Sequence, residues 1–243
     1  MSSHSCLEAK DLKKTYGYQS VVDGLSFQIA QGEIVGLLGP NGAGKTTAFY
    51  MTMGLIRPDR GSVFFQGQDV TNLPIYKRAQ LGMGYLAQEP SIFRSLTVEQ
   101  NLMCVLESLP ISRAERKIRL EELLGELRLT NLAKKRAGAL SGGERRRLEI
   151  TRALITSPTL LLLDEPFANI DPISVQELKQ LIVLLAKKGI SVLITDHNAR
   201  EIFSVVHRSY LIYEGKSLLC GKPEELLQNE VARNCYFGTD FQM

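Results

Sequence analysis

Apolar positions change their period along this chain, and the changes mark its architecture. From Leu7 to Ile29 short apolar segments alternate with turn residues, the habit of antiparallel strands. Ile34 to Leu38 is instead an unbroken apolar run, which predicts a short strand buried on both faces of a parallel sheet. Leu160 to Leu163 and Ile190 to Ile194 are runs of the same kind, separated by a helix from about Ile173 to Lys188 that Gly189 would end. Strand, helix and strand at these lengths predict a parallel α/β core.

Between the first buried run and the second the period becomes helical. Thr97/Gln100 and Ser112/Glu115 stand at capping-box spacing, and Leu120, Leu123, Leu124 and Leu127 share one helix face. We read an inserted helical subdomain at about 90–157. Tyr210 to Tyr213 and Ser217 to Leu219, about Glu214-Gly215, predict a closing hairpin, followed by a short helix and a tail over about 208–243. No repeat or linker interrupts the pattern, so 1–243 reads as one domain.

Composition narrows the classes. The chain has 243 residues, 44% hydrophobic and 23% charged, enough for one sizeable core. A net charge of +3 is too mild for the concentrated basic stripe that nucleic acid requires, so no nucleic-acid partner is expected. Cys6, Cys104, Cys220 and Cys235 are scattered, which predicts neither a zinc site nor a disulfide framework and fits a reducing compartment. The longest apolar runs, such as Leu181 to Ala186, are too short to span a bilayer, and the first ten residues lack a signal core. A cytoplasmic location is the expectation.

Phosphate chemistry begins where the first buried run ends. Gly39-Pro40-Asn41-Gly42-Ala43-Gly44-Lys45-Thr46, with Thr47 behind it, satisfies G-x-x-x-x-G-K-[ST] between a predicted strand and a predicted helix. Backbone N–H groups would curl around phosphate oxygens, Lys45 would neutralise the outer phosphates, and Thr46 would ligate Mg²⁺. Asp164-Glu165 then ends an otherwise apolar strand. Burying two adjacent carboxylates is costly unless a cation or a polar reaction compensates. Asp164 is placed to support the metal, and Glu165 to polarise the water that attacks the γ-phosphate.

Leu140-Ser141-Gly142-Gly143-Glu144 opens another helix, with Ser141 and Glu144 as a capping box. Paired glycines inside a helix start are costly unless something approaches the backbone closely. Arg145, Arg146 and Arg147 sit poorly for the helix dipole, which an arriving anion would remedy. The alternative for this run is a solvated face.

These residues resemble the ABC ATPases, in which LSGGE is the signature that contacts the γ-phosphate held by an opposing subunit. The resemblance implies further roles in this chain: Tyr16 as the aromatic against adenine, Gln88 as the residue linking Mg²⁺ to the transport partner, and His197 as γ-phosphate sensor. Asn169-Ile170-Asp171 is similar to the loop that crosses between subunits. Each of Tyr16, Gln88 and His197 also has an ordinary alternative as packing or polar surface. The implied fold is a P-loop NTPase (RecA-like) α/β core on a parallel sheet, with an N-terminal antiparallel β subdomain and the inserted α-helical subdomain.

Within that family, GPNGAGKTTAFYM, SIFRSLTVEQNLM, LSGGERRRLEITRAL, DEPFANIDPISV, LITDHNAREI and the tail Tyr236-Phe237-Gly238-Thr239-Asp240-Phe241 resemble the ATPases of lipopolysaccharide-export transporters. The ATPases of branched-chain amino-acid importers are the runner-up, followed by a non-transport ABC ATPase. Two positions depart from the pattern: Ala87 where proline is usual, and Asn169 where glycine is usual. The resemblance implies ATP and Mg²⁺ as cofactors, a homodimer in the ATP-bound state, and peripheral attachment to the inner membrane. It also places two membrane-embedded subunits near Phe93 and Arg94, with no direct contact to cargo. Ile92, Phe93 and Leu96 have core packing as the competing reading.

Overall fold

The computed structural model describes residues 5–238. Strands β1 (Ser5–Tyr16) and β2 (Gln19–Ala30) pair antiparallel about a tight turn, as the alternation predicts. They continue into β4 (Arg60–Phe65) and β5 (Gln68–Asp69), giving a four-stranded sheet of order β2-β1-β4-β5. The last two strands were not foreseen from sequence. Their connection, Gln66-Gly67, has both residues at positive φ, the signature of a two-residue hairpin turn.

The second sheet has the order β10-β9-β3-β8-β7-β6. β3 (Ile34–Leu38), β6 (Met83–Leu86), β7 (Leu160–Asp164), β8 (Ser191–Thr195) and β9 (Arg208–Tyr213) run parallel, and β10 (Lys216–Gly221) returns antiparallel across Glu214-Gly215. Strand alternation sends successive apolar side chains into different cores. Val35, Leu37, Leu160, Leu162 and Leu193 pack with the β1–β2 side, whereas Ile34, Leu38, Leu161, Leu163, Val192 and Ile194 pack with the helical side. This double burial is why those strands read as unbroken apolar runs.

Helices α1 (Lys45–Met53) and α2 (Ile75–Gln80) follow β3 and β5. α3 (Val98–Leu106), α4 (Arg113–Glu126) and α5 (Gly142–Leu154) form the helical segment between β6 and β7. Thr97, Ser112 and Ser141 close the capping boxes expected of them. α6 (Pro172–Lys187) joins β7 to β8, and Gly189 follows it at φ +91. α7 (Ala199–Phe203) follows β8, and α8 (Pro223–Gln228) leads to a last helical turn ending in Arg233–Phe237. Thr239, Asp240 and Phe241 of the tail motif lie outside the described residues. Among the described residues no helix is long and apolar enough to cross a membrane.

A buried arginine that sequence reading passed over anchors α1. Arg78 is fully buried and donates to the carbonyls of Met51 and Thr52 at the end of α1, and to those of Thr71 and Leu73. A cation at a helix C-terminus also meets the negative end of its dipole. Burial without a carboxylate partner in hydrogen-bonding contact pushes the guanidinium down to about 10.

Candidate active site

Four neighbouring parallel strands each deliver one part of the site from their carboxyl ends, the edge where α/β sheets gather ligands. β3 runs into the glycine-rich loop 39–44, β8 into Asp196 and His197, β7 ends on Asp164 with Glu165 next, and β6 leads to Ala87 and Gln88.

The loop from Gly39 to Gly44 enters α1 with Gly44 at φ +97, and a Cβ there would meet the Val21 carbonyl oxygen at 2.5 Å. Only glycine fits so close a backbone approach. The tip of the β1–β2 hairpin thus packs on the loop, and Gly215 bridges the two by donating to Ala43 O and accepting from Asp23 N–H. Lys45 Nζ donates to the carbonyls of Gly39 at 2.7 Å and Pro40 at 2.9 Å. Burial lowers its pKa, and the Glu165 carboxylate opposes that shift. Pro40, Asn41, Gly42, Ala43, Thr46 and Thr47 complete the loop and the first turn of α1, as the motif requires. Tyr16 ends β1 about half exposed, its ring 5.8 Å from Lys14 Nζ.

The two carboxylates differ more than their adjacency implied. Asp164 is buried, and its Oδ1 accepts from the Thr195 hydroxyl at 2.7 Å while Oδ2 has no hydrogen-bond partner. Desolvation raises its pKa, against the lowering effect of the Thr195 hydrogen bond. Glu165 is not buried with it. The chain turns at Glu165 through φ +45, fixed by its N–H to Thr195 O at 2.8 Å, and the side chain emerges partly exposed. A left-handed conformation is uncommon for glutamate and gathers at functional sites. Gln88 Nε2 donates to Glu165 Oε2 at 2.8 Å, and His197 Nδ1 stands 3.6 Å from the same oxygen. Sequence positions 88, 165 and 197 therefore meet on one carboxylate. Asp196, beside them, is buried and accepts from the N–H groups of Asn198 and Phe167.

The glycines of the signature segment have close neighbours in this chain: a Cβ on Gly143 would overlap Ser174 of α6, and one on Gly142 would meet Asn169 O and Ile170 Cγ2, each at 3.2 Å. Its arginine run requires a correction. Arg146 is neither an anion contact nor a solvated face. It is buried and donates to the carbonyls of Ala87, Asp164, Glu165 and Pro166 while pairing with Glu149 at 3.0 Å. Arg147 faces Glu177 at 3.6 Å, and Arg145 reaches Leu140 O. Ser141 caps α5, and Asp171 caps α6 by accepting from both the N–H and the hydroxyl of Ser174.

Both departures are accommodated. Asn169 adopts φ +58, a left-handed state asparagine tolerates better than most residues. Ala87 engages Arg146 through its carbonyl, which a proline also has. Further along, Ile92 is core, Leu96 half-buried and Phe93 exposed at 48%, with Arg94 exposed beside it. Buried Asn101 holds the Phe93 backbone from both sides, accepting from its N–H and donating to its carbonyl. The Arg152 guanidinium sits 5.0 Å from the Phe93 ring.

Comparison with known proteins agrees with this geometry. The family model described as ABC transporter matches residues 22–168. The lipopolysaccharide export system ATP-binding protein LptB of Acidithiobacillus ferridurans is 53% identical over 98% of this chain and 98% of its own length. LptB of Escherichia coli K12 is 48% identical over 98% of this chain and 99% of its own. Among solved structures, an ABC transporter ATP-binding cassette in its ADP conformation superposes with TM-score 0.86 at 28% identity, covering 96% of this chain and 99% of that one. A dimeric cassette bound to ADP and phosphate after hydrolysis gives TM-score 0.74 at 25% identity, covering 89% and 98%. With the glycine-rich loop after β3, the Asp164-Glu165 pair at the end of β7 and these relatives across nearly its whole length, this chain is a member of the ABC transporter family, in its ATP-binding, ATP-hydrolysing branch.

Proposed function

We propose that this chain is the ATPase subunit of a lipopolysaccharide-export ABC transporter, working as an ATP-bound homodimer attached peripherally to two membrane-embedded subunits on the cytoplasmic face of the inner membrane. The observation that carries the reading is the meeting of Gln88 and His197 on Glu165, beside Lys45, in a chain about half identical to lipopolysaccharide-export ATP-binding proteins. We read residues 90–157 as the subdomain facing the membrane subunits and 208–243 as the C-terminal segment.

In this reading the loop amides from Gly39 to Thr47 and the Lys45 ammonium bind the phosphates, and Tyr16 lies against adenine. Asp164 Oδ2 is a buried carboxylate oxygen without a donor, which a hydrated divalent cation fits, and Thr46 and Gln88 complete its protein contacts. No three His, Cys, Asp or Glu side chains among the described residues form a metal cage, in keeping with Mg²⁺ held largely by phosphate and water. The cation supplies charge neutralisation for the transferred phosphoryl group. Glu165 accepts the proton of the attacking water as general base, and His197, sharing its oxygen, orients the γ-phosphate. Ser141, Gly142, Gly143 and Asp171 serve the ATP bound by the opposing copy, so each hydrolysis needs both chains.

Proteoliposomes holding this chain with the membrane subunits that co-purify with it test the assignment. ATP should drive lipopolysaccharide out of the bilayer, and Glu165→Gln should stop it. Amino-acid uptake without lipopolysaccharide release would sink the cargo assignment in favour of the importer. In the same preparation, Phe93→Ala should leave melting and ATP binding intact but weaken retention by the membrane subunits, because an exposed aromatic beside a cationic rim is an anchor for a partner helix.

A further inference from the structure

One face of α5 carries Arg146, Glu149 and Arg152 at successive three-residue steps, and together they grip both ends of the loop that bears Gln88. Arg146 donates to Ala87 O at 2.9 Å, before Gln88. Buried Glu149 accepts from Ser91 N–H at 3.0 Å, after it, and Arg152 donates to Ser91 O at 2.6 Å. Glu149 also accepts from Arg146 Nη1 through its second oxygen, at 3.0 Å, so it touches the group that holds Ala87 as well as Ser91. Arg146 in turn holds the carbonyls of Asp164 and Glu165, and Arg152 lies against Phe93. Glu89 and Pro90, between the grips, are exposed.

We propose that Glu149 is a positioning residue that joins the two grips into one strut, so that the Gln88 loop, the end of β7 and the Phe93 surface move with α5 as a unit. A carboxylate is suited to this because it accepts from an amide and a guanidinium at once, through separate oxygens. Gln88 is then held at its distance from Glu165 by the strut and not by the loop itself. The consequence for transport rests on the reading that membrane subunits engage Phe93: their engagement would reach Glu165 through Glu149.

The test compares wild type, Glu149→Ala, Glu149→Gln and Phe93→Ala, each isolated and in the complex with co-purifying membrane subunits. Turnover is normalised to the protein that binds a fluorescent ATP analogue, which removes misfolded material from the count. Glu149→Gln keeps the shape and one acceptor, so it serves if the alanine variant fails to fold. In the isolated chain, amide exchange at residues 88–91 should speed at least tenfold in the glutamine variant. In the complex, kcat should fall at least fivefold with KM for ATP unchanged within twofold, a split that a general loss of stability does not produce. Unchanged exchange at 88–91, or normalised kcat within twofold of wild type in the complex, overturns the strut. Phe93→Ala reports separately on the partner reading: full retention and turnover in that variant refute the Phe93 contact, while the exchange measurement still judges Glu149.

Discussion

Gly143→Ala sets two effects of opposite sign against each other. In a helix interior alanine is favoured over glycine by about 0.8–1.0 kcal/mol, so propensity alone predicts stabilisation. The new methyl, however, would overlap both Cβ and Oγ of Ser174, far inside the 3.0 Å that real Cβ contacts respect. Rotating Ser174 relieves only its oxygen, because its Cβ is fixed to the first turn of α6, and that oxygen is already bonded to Asp171 at 2.6 Å. Overpacking of this kind costs about 1–3 kcal/mol, and disturbing the Asp171 cap adds about 1 kcal/mol. The net loss is roughly 1–3 kcal/mol, a fall in Tm of roughly 2–12 °C for a domain of this size. Thermal melting followed by circular dichroism measures it. Gly142→Ala is the internal control, since its neighbours stand at 3.2 Å and need yield only slightly. Gly143→Ala/Ser174→Gly should recover most of the loss. A Tm for Gly143→Ala equal to or above wild type would refute the packing argument and leave propensity as the dominant effect.

Four further outcomes are expected. Glu165→Gln should retain ATP binding yet lower phosphate release at least about a hundredfold, the usual contribution of a general base; near-normal turnover with partners present would remove Glu165 from that role. The same variant, scored by light scattering, should shift from monomer to dimer on adding ATP. Arg78→Met strips the donors from four carbonyls, two of them buried and two partly buried, and should cost at least about 3 kcal/mol, read from the urea midpoint, with a weakened affinity for ATP as α1 loosens. Asp164→Asn should raise stability at pH 7 in the absence of nucleotide. The folded protein raises this carboxyl's pKa by desolvation, so it holds the proton more tightly than the unfolded chain, and stability falls as pH rises above the ordinary aspartate range near about 4. The gain from asparagine should therefore fade as pH drops below that range; a pH-independent gain would rule out the titration.

Local chemistry announces itself in sequence when one short segment suffices. The glycine loop with Lys45, the capping boxes at Thr97, Ser112 and Ser141, and the Glu214-Gly215 turn each depend on residues a few positions apart, and their sequence placement matches their structure. Strands β3, β7 and β8 were legible for a related reason: burial on both faces leaves no polar position to break the run. β4 and β6 were passed over because Gly61 and Gly84 interrupt short runs that only their sheet neighbours stabilise. What tertiary structure alone decided is where side chains distant in the chain meet. Three adjacent arginines gave no sign that Arg146 turns inward to hold carbonyls near residues 87 and 165 while Arg147 meets Glu177. Glu149 and Asn101 carry no local sequence signal, yet both are buried against backbone groups of the segment around Phe93. A buried polar group is placed by the donors and acceptors that fold around it, and those come from elements far away in sequence, so no local pattern can record it.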